Sequence, residues 1–436
     1  MANGGGTFLS YNKVLPGSYI NFVSAARATV NVSDRGFAAI AMELDWGVEG
    51  DIFKVENGDF QTDTLKLFGY DYTHEKMKPL RDLFMKAKTV FMYRLNGGGT
   101  KASNKYATAK YSGTRGNDIT IIVKTNVDEE EKKDVTTMIG NVKVDVQTVT
   151  TASELVNNDF VDFKPESDLA ETAGEKLTGG LNLSEVTGTQ HQTFLDLLES
   201  YSFNVVGCTT KDSIIQKLYV NWTKRMRDEV GVKFQCVVYR EAADYEGIIN
   251  LQNKVLDSGA PENALVYWLT GAEASCLVNA SLTNTKYDGE YQIDTKYTQS
   301  ELEAGIKAGQ LLFHNNAGEP YVLTDINSFI TITVEKTDDF SSNQVIRVLD
   351  QIGNDIALLF NKKHLGHTRN NDSGREALWK DIVAHHQELE RIQALESFDP
   401  KAVTVEKGPT KKSVIVNDPV TPVACMEILY MTVVVM

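Results

Sequence analysis

The sequence predicts a multidomain protein of mixed α+β and α/β class: mixed-sheet α/β cores, an all-β module between them, and an extended strand-like arm at each end. Three observations carry this. Strand and helix patterns alternate over residues 203–277, the order that builds an α/β layer. Period-two hydrophobicity takes over between two glycine clusters, Gly97-Gly98-Gly99 and Gly179-Gly180, as in a run of short half-buried strands. The last dozen residues, Cys425–Met436 (CMEILYMTVVVM), are a β-prone apolar run behind a linker that holds Pro409, Pro419 and Pro422.

The elements follow in chain order. Gly4-Gly5-Gly6 and a polar stretch lead to Pro16-Gly17 and the alternating run Ser18–Val23 (SYINFV), so residues 1–23 read as an arm that mirrors the C-terminal one. Residues 24–99 hold a strand-like run Ala38–Leu44, an aromatic turn Asp45-Trp46-Gly47, a helix around Met77–Ala87 and an apolar strand Thr89–Leu95. Three consecutive glycines free the backbone and mark a boundary. The β module occupies residues 100–178, with strands at Tyr106–Tyr111, Asp118–Val123 and Val142–Thr150 and a charged hairpin tip or loop at Asp128–Asp134.

Residues 179–330 return to the α/β pattern. Phe203–Val206 reads as a strand, and Lys211–Glu229 as a helix carrying Ile214, Ile215, Leu218, Tyr219, Trp222 and Met226. Val232–Tyr239 is a strand, followed by a helix near Tyr245–Val255. Ala264–Leu277 is ambiguous by pattern, though its length and small residues favour a helix. In residues 331–420, Thr331–Glu335 reads as a strand. Ser341-x-x-Gln344 looks like a capping box opening a helix whose face is Val345, Leu349, Ile352, Ile356 and Phe360. A second helix carries Leu378, Ile382, Leu389, Ile392 and Leu395, and Val403–Val405 and Ser413–Val416 are strands. Residues 421–436 form the C-terminal arm. A strand so hydrophobic aggregates unless something pairs with it. Two leashed strand-like termini suggest a subunit that stitches itself into its neighbours' sheets.

Composition narrows the class. A chain of 436 residues is long enough for two or three domains, and 42% hydrophobic with 24% charged residues is ordinary for a soluble protein. The net charge of −15 argues against a nucleic-acid binder, which would carry a basic face. Cys208, Cys236, Cys276 and Cys425 include no CxxC pair and read as small core hydrophobes. The start (MANGGGTFLS) lacks the charged and apolar regions of a signal peptide. Apolar runs fall short of about 18 residues, so no membrane span is expected. Cytoplasmic synthesis follows; the final location does not.

Catalytic constellations are missing. There is no GxxxxGK[ST], and Gly97-Gly98-Gly99-Thr100-Lys101 has the wrong order for a phosphate cradle. No GxSxG elbow is present. His364-x-x-His367 and His385-His386 could converge on a metal, but without an HExxH motif a solvated or packing role is the better reading. Asp338-Asp339 precedes a helix start, where the helix dipole favours negative charge. The expectation is therefore no enzyme activity, no metal and no cofactor.

Collinear motifs add a resemblance. The chain is similar to tail sheath proteins of contractile phages and of phage-tail-like bacteriocins. Pro16-Gly17-Ser18-Tyr19-Ile20 resembles that family's PG-x-Y-x opening, and Asp34-Arg35-Gly36 with Asp45-Trp46-Gly47 its next block. Tyr111–Ile119 (YSGTRGNDI) is similar to the segment that begins the inserted β domain, although Ser112 stands where many members have proline. Leu177-Thr178-Gly179-Gly180 resembles the return into the α/β part. Trp268–Asn284, Leu302–Phe313 with Asp325-Ile326-Asn327-Ser328, and Phe340–Ile352 with Asn370-Asn371-x-x-Gly374-Arg375 resemble later blocks in the same order. Each motif is weak alone; their order is specific.

The resemblance implies a sheath subunit that polymerises around an inner tube and contracts to drive the tube through a cell envelope. Residues 24–99 and 179–330 would form one sheath domain. The β module would sit on the outer surface, and residues 331–420 would face the tube. The family's arms pair with the C-terminal domain of neighbouring subunits by strand addition. Carried over, one arm comprises Val14, Ser18, Tyr19, Ile20, Asn21, Phe22 and Val23. The other comprises Ile428, Leu429, Tyr430, Met431, Thr432, Val433, Val434 and Val435. Implied partners are further copies of the chain, the inner tail tube protein, the baseplate and the tail terminator, with no nucleic acid and no membrane. The implied place is the host cytoplasm, then the phage tail or phage-tail-like particle. Two alternatives stay open: an α/β ligand-binding enzyme of unknown substrate, and the sheath of another contractile injection system.

Overall fold

A computed structural model of the chain describes residues 4–6, 17–19 and 34–435. The chain divides into two compact units, one built on residues 34–354 with 422–436 and the other holding residues 355–421.

The first unit is organised by a six-stranded sheet. Its order is Ile248–Leu251, Gln235–Tyr239, Val205–Gly207, Phe37–Met42, Thr89–Arg94 and Phe53–Glu56. All neighbours are parallel except the last pair, in which Phe53–Glu56 runs antiparallel to Thr89–Arg94. Parallel strands are covered on both faces, so their side chains are apolar in both directions. Phe37–Met42 (FAAIAM) shows this: Ala38, Ile40 and Met42 enter one core cluster, Ala39 and Ala41 the other. The first cluster includes Leu80 and Leu83 of helix Lys78–Phe84 and Trp268 and Leu269 of helix Leu265–Ser275. The second includes Phe194 and Leu198 of helix Gly188–Leu198 and Tyr219 and Trp222 of helix Ser213–Arg225. Leu265–Ser275 is buried nearly all round, which is why no helical period marks it in the sequence.

Close approach fixes a glycine in that helix. A Cβ on Gly271 would lie 2.3 Å from the Leu83 carbonyl oxygen of the neighbouring helix.

The β module is antiparallel, as its alternation implies. One sheet orders Thr172–Lys176, Ile119–Thr125, Lys133–Ile139 and Val142–Val149; a second pairs Ala107–Ala109 with Val161–Phe163. Ile119, Ile121 and Val123 turn into the core on every second residue. Trp46, from the aromatic turn, enters the same core and meets Tyr111 edge-on at 5.2 Å. Beside it, Asp45 accepts from Tyr70 (2.8 Å), Thr114 (3.1 Å) and Asn182 (2.9 Å). The Asp45-Trp46-Gly47 turn is thus the seam between the α/β layer and both chain crossings of the module.

In the second unit, helix Asp372–Arg391 packs Leu378 and Ile382 against Val403, with Trp379, Phe398, Val405 and Val414 around them. The Asn370-Asn371-x-x-Gly374-Arg375 motif has a physical reading here. Asn371 Oδ1 caps the helix by accepting from the Gly374 N–H at 2.9 Å. Asn370 Nδ2 donates to the Ser413 carbonyl at 2.8 Å and so ties the helix start to the hairpin Thr404–Lys407/Val414–Asn417.

Three expectations are corrected. Tyr245–Val255 is no helix: Ile248–Leu251 is a fully buried edge strand pairing with Cys236–Tyr239. A short apolar run buried on both faces carries no period that separates strand from helix. Thr331–Glu335 is no strand, because its neighbouring N–H groups are used locally. Asp244 Oδ1 accepts from the N–H groups of Ile330 (2.7 Å) and Thr331 (2.9 Å), and Thr333 N–H donates to the Lys336 carbonyl. The long helix begins at Asn343 rather than behind a Ser341 capping box. The Ser341 hydroxyl donates to the Asp338 carbonyl, and Gln344 binds elsewhere.

Replacing Gly271 with alanine forces the Leu265–Ser275 and Lys78–Phe84 helices apart. The expected loss is about 1–3 kcal/mol, read as a lower melting temperature of the unassembled subunit.

Candidate functional site

The hairpin of the second unit is a sheet of two strands, with Thr404 opposite Asn417 and Lys407 opposite Val414. Val405 and Val414 pack on the core, while Ile415 and Val416 are exposed. Among the described residues neither strand has a second neighbour, so each presents a row of backbone donors and acceptors.

The predicted C-terminal arm carries no strand within its own chain. Ile428, Leu429, Tyr430, Met431, Val433, Val434 and Val435 are between 73% and 91% exposed, and Thr432 is exposed with them. The chain is fixed just before this tail. Cys425 N–H donates to Gln344 Oε1 at 2.9 Å, and the Glu427 carboxylate accepts from Thr283 Oγ1 (2.6 Å) and Thr324 Oγ1 (2.8 Å). Of the N-terminal candidates, Ser18 and Tyr19 fall in the short strand Gly17–Tyr19, which pairs in parallel with Gly4–Gly6. Val14, Ile20, Asn21, Phe22 and Val23 lie outside the described residues.

A buried polar stripe that sequence reasoning missed supports this region. On the long helix Asn343–Leu359, residues Asn343, Arg347, Asp350 and Asn354 recur at the spacing of one helix face. Arg347 is 1% exposed. Its Nη2 donates to Glu273 (2.7 Å) and Asp325 (3.2 Å), and its Nη1 to the Ala280 carbonyl (2.7 Å). Asn343 Nδ2 donates to Asp325 at 2.8 Å, and its Oδ1 accepts from Gln235 at 2.8 Å. Asp350 forms a two-pronged pair with Arg227 at 2.6 and 2.8 Å, and Asn354 binds the Lys233 backbone from both sides. The sequence signal was present: charges at 347 and 350 sit among Val345, Ile346 and Val348, all buried. This polar stripe is a buried clamp.

Electrostatics follow from the burial. Desolvation and the Asp325 charge push the Glu273 carboxyl up to about 8. Against its own desolvation, the Arg347 guanidinium holds Asp325 below its ordinary value. Near neutrality the cluster is therefore one guanidinium, one carboxylate and one carboxylic acid.

Of the four histidines singled out in the sequence, His364, His385 and His386 are buried and His367 is exposed. His364 Nε2 meets Asp381 at 2.8 Å, His385 Nε2 meets Asp355 at 3.0 Å, and His386 Nε2 meets Asp418 at 2.7 Å. Among the described residues no group of three metal-ligating side chains converges. A cleft of about 880 Å³ opens by the carboxyl end of Phe37–Met42, lined by Glu43, Asp45, Lys76 and the loop 256–261. Two of its carboxylates are committed to structure: Asp45 pairs with Lys76, and Asp257 with Lys78 at 2.9 Å.

Comparison with known proteins is decisive at this point. Four family models match in succession: the tail sheath protein Gp18 domain III N-terminal region (residues 35–95), the phage tail sheath protein beta-sandwich domain (97–182), its central domain (184–328) and its C-terminal domain (335–436). The chain belongs to the phage tail sheath family. It is 31% identical to the XkdK protein of the phage-like element PBSX of Bacillus subtilis, over 98% of this chain and 99% of that one. The crystal structure of a sheath tail protein from Desulfitobacterium hafniense matches with a TM-score of 0.82 at 33% identity, covering 94% of this chain and 98% of that one. The contracted helical sheath of the anti-feeding prophage shares the fold, with a TM-score of 0.57 at 12% identity over 97% of this chain and 99% of that one. As a family member, this tail sheath chain is a component of a phage tail or phage-derived particle. Among the described residues, no helix is long and apolar enough to cross a membrane.

Two outcomes test the clamp. Arg347→Ala leaves Glu273 and Asp325 without their cation and should cost about 3–5 kcal/mol of subunit stability, measured by denaturant unfolding. Glu273 ionises near its ordinary 4.5 in the unfolded chain and near 8 in the folded one, so its contribution to stability is lost as pH rises between those values. Glu273→Gln keeps the geometry and should flatten that part of the melting-temperature profile.

Proposed function

We propose that the chain is the structural, non-catalytic subunit of a contractile sheath, whose copies polymerise around an inner tube and stay linked by exchanging terminal strands. One observation carries this reading: an open two-stranded sheet, Thr404–Lys407/Val414–Asn417, and an exposed apolar tail, Ile428–Val435, exist in one polypeptide. Each is the complement of the other by strand addition. The tail is a hazard in isolation and gains a partner in a polymer. The N-terminal segment Val14–Val23 would supply a second strand.

In this reading residues 331–420, which include the two-stranded sheet, face the tube, and the β module lies outward. The inner tube, baseplate and terminator are the further partners. No nucleotide is required. The extended sheath would be a metastable assembly, and contraction would release energy as new interfaces form.

Deleting residues 428–436 should leave a folded, soluble subunit that forms no tubes in negative-stain microscopy or sedimentation. Tubes of normal length and yield from that truncation would overturn the strand-exchange reading.

A further inference from the structure

The geometry points to Glu427 as a built tether point: with Thr283, Thr324 and Gln344 it pins the chain just before the apolar tail, so that the reach toward a neighbouring copy starts at residue 428. This rests on the reading of the tail as an inter-subunit strand.

The socket is organised before the tail enters it. Thr283 Oγ1 accepts from the Asp325 N–H (2.9 Å) and from Ser281 Oγ (3.0 Å), which leaves its own proton aimed at Glu427. Thr324, which supplies the second hydroxyl, is 8% exposed. Gln344, which takes the Cys425 N–H, is 2% exposed on the first turn of the long helix. Asp325 and that same turn belong to the Arg347 cluster, so the anchor stands on the buried ion-pair network. Two hydroxyl donors on one carboxylate, from separate segments, hold it in position and direction.

The anchor sets slack. Nine residues, Ile428–Met436, reach about 30 Å when extended. Released at Glu427 and Cys425, the free segment would begin at Pro422 and reach about 50 Å. The difference, about 20 Å, decides how far two copies can separate before the link tightens, and how concentrated the tail is near its acceptor.

The chain provides its own probe, because Cys425 is exposed while Cys208, Cys236 and Cys276 are buried. Full-length unassembled subunit labelled at Cys425 with a fluorescent maleimide is compared in four forms: unchanged, Glu427→Ala, Glu427→Gln and Thr283→Ala. Tube yield of unlabelled protein is measured in parallel. Glu427→Ala and Thr283→Ala should lower the anisotropy and reduce ordered tubes several-fold. Glu427→Gln should preserve both, since its amide oxygen accepts from Thr283 and its amide N–H donates to Thr324. Anisotropy and tube yield unchanged in Glu427→Ala, while the 428–436 deletion abolishes tubes, overturn the tether and leave strand exchange standing. A mobile probe in Glu427→Ala with normal tubes from the deletion overturns strand exchange, and the tethering role with it. Equal losses in the Ala and Gln variants also overturn the tether, since they would not depend on hydrogen bonding at this position.

Discussion

A guanidinium sealed from water holds the first unit to its long helix. Desolvating Arg347 is expensive, and the expense is offset by Glu273, Asp325 and the Ala280 carbonyl together, not by any one of them. Such a cluster is satisfied in one register. Shift the helix by a residue and the Arg347, Asp350 and Asn343 contacts fail at once. The contacts that hold the start of the tail are referred to this fixed point. Asp325, which takes Arg347 on its carboxylate, donates its N–H to the Thr283 hydroxyl beneath the tail; Gln344, one residue from Asn343, holds Cys425. The socket for the tail is therefore the outer side of the buried network.

The same logic gives Asn370, Asn371 and Trp46 a structural reading. Asn370 and Asn371 each spend their amide on a backbone group where helix and hairpin meet. Trp46 fills the β module from a turn that belongs to the sheet before it. These residues act at seams, where regular hydrogen bonding stops and a side chain must complete it.

Legibility in the sequence followed the same division. Elements with two distinct faces, or with turn signals at both ends, were readable. Ile119–Thr125 alternates because one face meets the core, and Thr89–Arg94 stands out because it is apolar between turn signals. Elements buried on all sides gave a weaker signal: Ile248–Leu251 passed for a helix, and Leu265–Ser275 showed no period, its helix being legible only from length and small residues. The polar stripe of the long helix gave no sign of its burial. Its residues are those of a solvated face, and only long-range partners such as Glu273 and Arg227 reveal that they are buried. The hydrophobic tail was conspicuous from composition alone, but its anchor was not, since a glutamate beside two distant threonines leaves no local mark.

The distribution of cost across the molecule then favours one kind of movement. Inside the first unit, two ion-pair clusters and a close-packed two-faced sheet admit no partial rearrangement without exposing a charge or opening a void. At the chain end, the large apolar side chains already stand in solvent, and a short sheet offers open edges. Under the proposed strand exchange, giving this tail a strand neighbour would break no core. The first unit would then move as a solid body on its links, and the length of the link, rather than the softness of that unit, would set how far it can go.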